Sequence, residues 1–213
     1  MTAPGRRAPR PPRFPRTVLG IALTVLAVTT SGCAGPSAAA PIPSAEAAQV
    51  PVTSPPVSTA AVLAASRPVR VQIPAIGVDS ELMDLGLQAD GSLEVPTTGF
   101  PAGWFTGAPT PGERGPAVIA GHVDWAGAPG VFAQLRDVVA GDEIHVVRED
   151  GSTAVFRVSE VGQYAKDAFP TAAVYGDLDH AGLRVITCGG DFDHAAQSYL
   201  DNTVVFADLV VNG

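Results

Sequence analysis

Short apolar segments alternate with turn residues from residue 67 to the end of the chain. The run PAVIAGHV (116–123) is almost continuously apolar, which is typical of a strand buried on both faces. The dipeptides Asp90-Gly91 and Asp150-Gly151 favour hairpin turns. The segment GVFAQLRDV (130–138) has the apolar spacing of one or two helical turns. Further strands are predicted in VRVQIP (69–74), SELMDLGL (80–87), DEIHVVRED (142–150), STAVFRVSEVGQY (152–164), GLRVITC (182–188) and NTVVFADLVV (202–211).

About eight strands with one or two short helices indicate an all-β fold. Strands of this length, separated by turns, favour a closed or nearly closed β-barrel over a two-layer α/β fold. The preceding segment, residues 35–66, is rich in Pro, Ala, Ser and Thr and has almost no charge. It has too few large side chains to form a core, so we expect a linker at 35–66 and one folded domain at 67–213.

The N-terminus combines a basic stretch with an apolar one. Residues 1–16 carry five arginines and no acidic residue, and residues 17–34 are mostly apolar. This order predicts a cytoplasmic basic region followed by a membrane anchor or signal segment. Three interpretations stay open: an uncleaved anchor, a cleaved signal peptide, or a lipoprotein signal with lipid on Cys33. Each places the folded domain outside the cytoplasm, attached to the membrane or secreted.

Charge narrows the range of partners. Residues 17–213 contain eight basic and 21 acidic side chains, a net charge of −13. Such an acidic body repels the phosphate backbone, so we expect no nucleic-acid partner.

Two residues at predicted strand ends have reactive side chains. Cys188 ends the strand LRVITC and is followed by Gly189 and Gly190, while His122 follows the apolar run PAVIAG. A thiol and an imidazole are the minimal pair for thiol acyl transfer. Each residue alone also fits a structural role, as a buried small side chain or an ordinary histidine at the edge of a strand. We expect no disulfide to Cys33, which lies in a separate segment.

The other histidines give no metal signature. His145 lies within a strand, and His180 and His194 lie in the acidic stretches GDLDH and DFDH. The sequence has neither the HxxxH nor the CxxC spacing of a metal site, and no calcium-loop spacing. We therefore expect neither a metal ion nor another cofactor.

Three segments of the chain resemble the sortases, most closely the actinobacterial class F group. They are IAGHVDWAGAPGVFAQL, LRVITCGGDFD and YLDNTVVFA, and the resemblance extends over about residues 68–211. The family pattern is a histidine after a strand, a cysteine at a Thr-Cys strand end and a final strand along the groove. Here His122, Thr187-Cys188 and NTVVFADLV match it. An N-terminal apolar anchor with a Pro-rich spacer also fits the family.

The resemblance implies a sortase-type eight-stranded β-barrel and a cysteine transpeptidase. Members of the family cleave an LPXTG-type sorting signal between Thr and Gly and pass the acyl group to an amine of a cell-wall precursor or pilin. Carried onto this chain, the Cys188 thiolate forms a thioester. His122 protonates the leaving amine and later accepts a proton from the incoming one.

The chain departs from the family in one position. Sortases use an arginine on or near the last strand to hold substrate and stabilise the oxyanion, and no arginine or lysine follows Cys188 here. Alignment of the last strand puts this position near Asn202. Our candidates for the role are, in order, Asn202 or backbone N–H groups, then Arg184, then Arg114. Thr187 is a further candidate for contact with the substrate.

The substrate groove is expected beside Cys188, against the loop at 164–182. Phe169, Val174 and Tyr175 are candidates for its apolar pocket, with capping of the barrel as an equally open alternative. Trp125 and Trp104 either wall the groove or fill the core.

Two alternatives to a sortase are weighed. An L,D-transpeptidase also has a Cys–His pair, but its cysteine lies in an SHGC motif followed by an arginine, and both are missing from this sequence. The other alternative is a non-catalytic or weakly active cell-wall binding module on a sortase-like barrel, which the missing arginine favours.

Overall fold

The computed structural model describes residues 62–210. The basic region, the apolar segment with Cys33 and most of the predicted linker lie outside this range, and so do the expectations for them. No helix within the described range is both long enough and apolar enough to cross a membrane.

Short strands make up most of the described chain. The strands are β1 (Pro68–Ile73), β2 (Val78–Leu85), β3 (Ala102–Phe105), β4 (Gly115–Ala120), β5 (Asp124–Trp125), β6 (Ala128–Pro129), β7 (Glu143–Arg148), β8 (Thr153–Ala165), β9 (Ala181–Asp193) and β10 (Ser198–Leu209). The helical elements are α1 (Thr171–Tyr175) and 3₁₀ turns at Pro74–Ile76, Leu135–Asp137 and Lys166–Ala168.

Eight strands close into a barrel in the order β1-β2-β3-β4-β9-β10-β8-β7. The pairs β2/β3 and β4/β9 are parallel, and the other neighbouring pairs of the barrel are antiparallel. Strands β5 and β6 form a separate two-stranded hairpin. The predicted all-β, eight-stranded barrel with few helices is confirmed.

The continuous apolar sequence of β4 follows from burial on both faces. Ala117 and Ile119 belong to the large apolar cluster that fills the barrel. Val118 belongs to a second cluster on the outer wall, together with Val174 of α1, and both side chains are fully buried. Burying a valine contributes roughly 1.5–3 kcal/mol, so α1 holds the segment between β8 and β9 against the barrel wall.

The one or two helical turns predicted at 130–138 are present as turns and one 3₁₀ turn, Leu135–Asp137. Phe132 and Leu135 are fully buried in the core cluster, as the apolar spacing suggested. The α-helix lies at Thr171–Tyr175, within the predicted loop. The turn Asp150-Gly151 joins β7 and β8 as predicted, with Gly151 at a φ of 82°.

The last residues of the predicted linker contact the barrel. The amide of Leu63 donates to the Gly112 carbonyl at 2.8 Å, and the amide of Ser66 donates to the Thr110 hydroxyl at 3.0 Å. The guanidinium of Arg148, which is almost fully buried, donates to the carbonyl of Ala64. Residues 63–66, which the composition placed in the linker, therefore form hydrogen bonds with the barrel domain or lie between residues that do.

Candidate active site

The parallel pairing of β4 with β9 brings together the residues that immediately precede His122 and Cys188. The last paired residues are Ala120 and Ile186. Beyond them, the Gly121 amide donates to the Ile186 carbonyl at 3.1 Å, and the Thr187 hydroxyl donates to the Gly121 carbonyl at 2.9 Å. The next residues along the two segments, His122 and Cys188, line the same groove.

Cys188 has a free, half-exposed thiol. Its partner on β10 is Asn202. The two following glycines are required by close packing of this hairpin. A Cβ on Gly189 would lie 2.7 Å from the Thr203 hydroxyl, and Gly190 has a φ of 74° with the Asp201 carboxylate 2.4 Å from a built Cβ. Strand β9 continues past Cys188 to Asp193, so the thiol lies within the strand and not at its end as predicted. The Gly-Gly pair lets β10 approach β9 closely beside the thiol.

The imidazole of His122 is held from two sides. Its Nε2 lies 2.7 Å from the Pro96 carbonyl oxygen, and its ring centroid lies 4.8 Å from that of Trp125, with the planes tilted by 47°. Because a carbonyl only accepts hydrogen bonds, this contact requires a proton on Nε2. The loop between β2 and β3 therefore fixes the tautomer and the direction of the ring.

Cys188 and His122 line one groove of about 880 Å³. One wall comes from the β2–β3 loop and the opposite wall from the segment between β8 and β9. The lining residues are mostly apolar: Leu87, Leu93, Val95, Phe105, Ala120, Phe169 and Ile186 are among them. The groove is thus a mostly apolar channel with a thiol at one point along it.

Several of the predicted site residues meet in this groove. Besides the thiol and the imidazole, it is lined by Thr187, Asn202, Phe169 and Tyr175. Asn202 lies next to Cys188 on the neighbouring strand, which is the position that the alignment of the last strand gave.

Two predicted groove residues lie elsewhere. Val174 is fully buried in the outer-wall cluster, so it caps the barrel and does not line the groove. Trp125 is 42% exposed and stands behind the His122 ring, on the β5–β6 hairpin. Trp104, which we left between groove and core, is buried in the core cluster.

Both arginine candidates lie away from the groove. Arg184 is buried, with its guanidinium 4.7 Å from the Phe206 ring centroid and its Nε 3.3 Å from the Ala173 carbonyl that accepts from it. Burial lowers the pKa of Arg184 from its ordinary value. It shares the face of Cys188 on β9, as the spacing of four predicted, but its side chain lies under α1. Arg114 is exposed and lines a neighbouring cavity of about 420 Å³.

A second, smaller cavity of about 320 Å³ also touches Cys188. It lies beside the β9–β10 hairpin, and its lining includes Tyr199. The Tyr199 hydroxyl donates to the Asp124 carboxylate at 2.6 Å, and this hydrogen bond raises the pKa of Tyr199. The bond joins the hairpin after Cys188 to the segment after His122. No local sequence pattern indicates this bond, because the two residues are 75 positions apart.

The described residues do not assemble a metal site. Within residues 62–210, no three His, Cys, Asp or Glu side chains are close enough together to hold an ion. His180 instead lies between the carboxylates of Asp179 and Asp208, at 2.8 and 3.1 Å.

The comparison with known proteins agrees with the geometry. A family model described as the sortase domain matches residues 71–210. No match was found among curated proteins.

Solved structures of sortases share this fold. A lid mutant of sortase A from Corynebacterium diphtheriae is 25% identical over 70% of this chain and 74% of that one, with a TM-score of 0.53. Sortase C-1 from Actinomyces oris is 19% identical over 67% and 73%, with a TM-score of 0.54. Sortase C from Streptococcus pneumoniae is 20% identical over 71% and 70%, with a TM-score of 0.52. Because the sortase domain model matches residues 71–210, which include most of the barrel, the chain belongs to the sortase family.

Proposed function

We propose that this chain is a cysteine transpeptidase of the class F sortase type. It cleaves an LPXTG-like sorting signal and passes the acyl group to a cell-wall amine through a thioester on Cys188. The observation that carries the proposal is that Cys188 and His122 line one mostly apolar groove. A Cys–His pair at a peptide-sized groove is the arrangement that acyl transfer needs.

The first half of the reaction transfers the acyl group to the enzyme. The Cys188 thiolate attacks the carbonyl carbon of the scissile Thr–Gly bond, and a C–S bond forms. The C–N bond then breaks, and the His122 imidazolium gives its proton to the leaving amine. Since Nε2 donates a hydrogen bond to the Pro96 carbonyl, Nδ1 is the nitrogen that remains for this transfer.

The second half regenerates the enzyme. An amine of the cell-wall precursor attacks the thioester, and its proton passes to neutral His122. The C–S bond breaks, which restores the thiolate and the imidazolium. One imidazole thus acts first as acid and then as base, so no proton is gained or lost over the cycle.

We assign the oxyanion contact to Asn202, with backbone N–H groups as additional donors. Asn202 pairs with Cys188 across β9 and β10 and lines the groove, whereas Arg184 and Arg114 do not line it. A side-chain amide donates a neutral hydrogen bond, which is weaker than one from a guanidinium.

We further propose that the barrel works outside the cytoplasm, held at the membrane by residues 17–34. The order of basic residues, apolar segment and Pro-rich spacer supports this. Its partners would be proteins with sorting signals and a peptidoglycan precursor.

The test uses the full-length chain in detergent micelles with a fluorescence-quenched LPXTG-type peptide. We expect cleavage by the wild type and none by Cys188→Ala or His122→Ala, with thermal unfolding measured to show that both variants fold. Intact mass measurement of the wild type should show the acyl adduct on Cys188. Equal signals from the wild type and Cys188→Ala would contradict the proposal.

One observation favours a second candidate, a cell-wall binding module without turnover. The position beside Cys188 on β10 holds Asn202 and not a cation. The same experiment separates the two, because a binding module would retain the peptide on both proteins and form no adduct.

A further inference from the structure

The groove differs in charge from the rest of the molecule. The chain has a formal net charge of −8, with 21 acidic residues. None of the residues that line the groove is acidic, and one of them, Lys166, is cationic. Lys166 is also the only lysine in the chain. A single ammonium in a groove without carboxylates makes this surface attractive to an anion.

The contacts of Lys166 leave its charge available. It is exposed in the 3₁₀ turn after β8, and its ammonium donates a hydrogen bond to the Ser198 hydroxyl at 2.9 Å. Among the residues that the structure describes, Lys166 forms no ion pair. A nearby carboxylate, that of Asp201, accepts a hydrogen bond from Gln163 at 2.7 Å. A hydroxyl positions an ammonium without neutralising it.

The strand register sets the distance between this charge and the thiol. Asn202 pairs with Cys188 on one side and with Tyr164 on the other, so these three residues lie in one row across β9, β10 and β8. Lys166 follows Tyr164 by two residues, so its Cα lies about 7 Å further along the strand direction and two strand spacings, about 10 Å, to the side. Its ammonium reaches Ser198, four residues from Asn202 along β10. An extended peptide advances about 3.3 Å per residue. The ammonium is therefore within reach of substrate residues a few positions from the carbonyl at Cys188.

From this placement we propose that Lys166 selects substrates with a carboxylate close to the scissile bond. The inference rests on the proposed function, since it takes the groove as the peptide site. Apart from the reacting thiol and imidazole, the lining is mostly apolar, so the ammonium is the charged contact that distinguishes one peptide from another. Lys166 is a specificity residue in this account, and the thioester chemistry proceeds without it.

The test compares three peptides that differ only at the variable position of LPXTG, with Glu, Gln or Lys there, and three that vary the residue after Gly. Binding is measured to full-length Cys188→Ala in detergent micelles, which retains peptide without turnover. We expect the Glu peptide to bind about five times more tightly than the Gln peptide at one of the two positions. The preference should shrink with added salt.

Matched variants in the same background separate charge from shape. Lys166→Met should bind Glu and Gln peptides equally, Lys166→Arg should keep the preference, and Lys166→Glu should favour the Lys peptide. Arg157→Met removes an exposed cation on the barrel, paired with Glu143, and should leave the preference unchanged. Acetylation of the only lysine should act like Lys166→Met, whereas reductive methylation, which keeps the charge, should not.

The outcomes distinguish the role of Lys166 from the proposed transpeptidase function. Equal binding of all peptides at both positions, absence of binding, or a preference that survives Lys166→Met would overturn the inference. If Cys188→Ala shows the charge preference but the wild type forms no acyl adduct, the role of Lys166 stands and the transpeptidase fails. If the wild type cleaves all peptides at one rate, the transpeptidase stands and the role of Lys166 fails.

Discussion

At the scale of residues, Asn202 lies beside the thiol, where negative charge would develop in the acyl transfer that we propose. Its amide is the side-chain donor that we assign to the oxyanion, next to Cys188 on the adjoining strand. Because Asn202 is half-buried at the groove, a change there alters the donor without opening the core.

We predict that Asn202→Ala lowers kcat by about 10²-fold with little change in KM, since one oxyanion donor is lost. Asn202→Arg should raise kcat, because a guanidinium donates a charge-assisted bond. The rate of adduct formation on Cys188, followed by mass, checks both. Unchanged rates in Asn202→Ala would mean that backbone N–H groups suffice.

The imidazole could be predicted from the sequence because His122 comes just after an apolar strand. The thiol could be predicted because an apolar run leads into Cys-Gly-Gly, although β9 continues past Cys188 to Asp193. Arg184, our second candidate for the oxyanion role, lies away from the groove, since a shared strand face does not tell whether a helix covers that face. Lys166 could not be predicted, because its place in the groove depends on how the turn after β8 meets β10. No local pattern contains that contact.

At the scale of elements, the hydrogen bond between Tyr199 and Asp124 connects the two segments that carry the site. Tyr199 pairs with Phe192 in the β9–β10 hairpin, and Asp124 lies in the β5–β6 hairpin two residues after His122. The bond spans the opening between these hairpins at 2.6 Å. It therefore restrains how far His122 and Cys188 separate.

Asp124→Asn should lower the pKa of Tyr199, because the carboxylate that favours the neutral phenol is removed. Ultraviolet titration measures this shift. Tyr199→Phe should reduce kcat, by up to about 10²-fold if the pair separates by 1 Å. Tyr164→Phe, which removes a hydroxyl bonded to Glu160, is the control and should retain kcat. A Tyr199→Phe enzyme with wild-type kcat would show that the bond positions nothing.

His180 joins the start of β9 to the end of β10 through Asp208. Its hydrogen bond with Asp179, then that with Asp208, raises the pKa of His180 above 6.5. A raised pKa means that the stabilisation is fully present below the unfolded value and disappears as pH rises through the folded value.

We expect the unfolding temperature of the wild type to exceed that of His180→Gln at pH 6, and the gap to narrow by pH 9. The effect should be at most about 1 kcal/mol, because the pair is partly exposed and screened by salt. Calorimetry at both pH values measures it. A gap that grows with pH would have the wrong sign.

The hydrophobic pattern is sufficient to predict most strands, but it does not predict the α-helix. Alternation and turn dipeptides predicted most strands, since each pattern is local. The apolar spacing of 130–138 indicated one or two helical turns, and Phe132 and Leu135 are buried there by turns and one 3₁₀ turn. The five-residue helix α1 is too short to leave a periodic signal.

At the scale of the whole molecule, residues 62–66 contact the barrel. Leu63 packs against the core cluster, and the carbonyl of Ala64 accepts from the buried Arg148 guanidinium. Losing this stretch would expose apolar surface and remove a partner of that cation.

Leu63→Ala in the full chain should reduce the free energy of unfolding by about 1–2 kcal/mol, in proportion to its partial burial. Val62→Ala, at a side chain that is 44% exposed, is the matched control and should have little effect. Urea denaturation followed by tryptophan fluorescence gives both values. Equal stabilities would mean that the barrel folds independently of this stretch.

A barrel was predictable from the number and length of the strands, but its order was not. The parallel pairs β2/β3 and β4/β9 join segments with long intervening chain, and the β4/β9 pair builds the site. Strand partners depend on three-dimensional closure, whereas periodicity reports only which faces are apolar.

The in-register pairing of β4 and β9 limits which insertions and deletions the two strands can accept. Alternate side chains of a strand point to opposite faces, and Thr187, whose hydroxyl binds the Gly121 carbonyl, precedes the sulfur by one position. Deleting one codon upstream within β9 would exchange the two: the sulfur would turn inward and the hydroxyl outward. Insertions of two residues keep each side chain on its own face of the strand. Grafts between homologues should therefore exchange connecting loops and leave both strands intact.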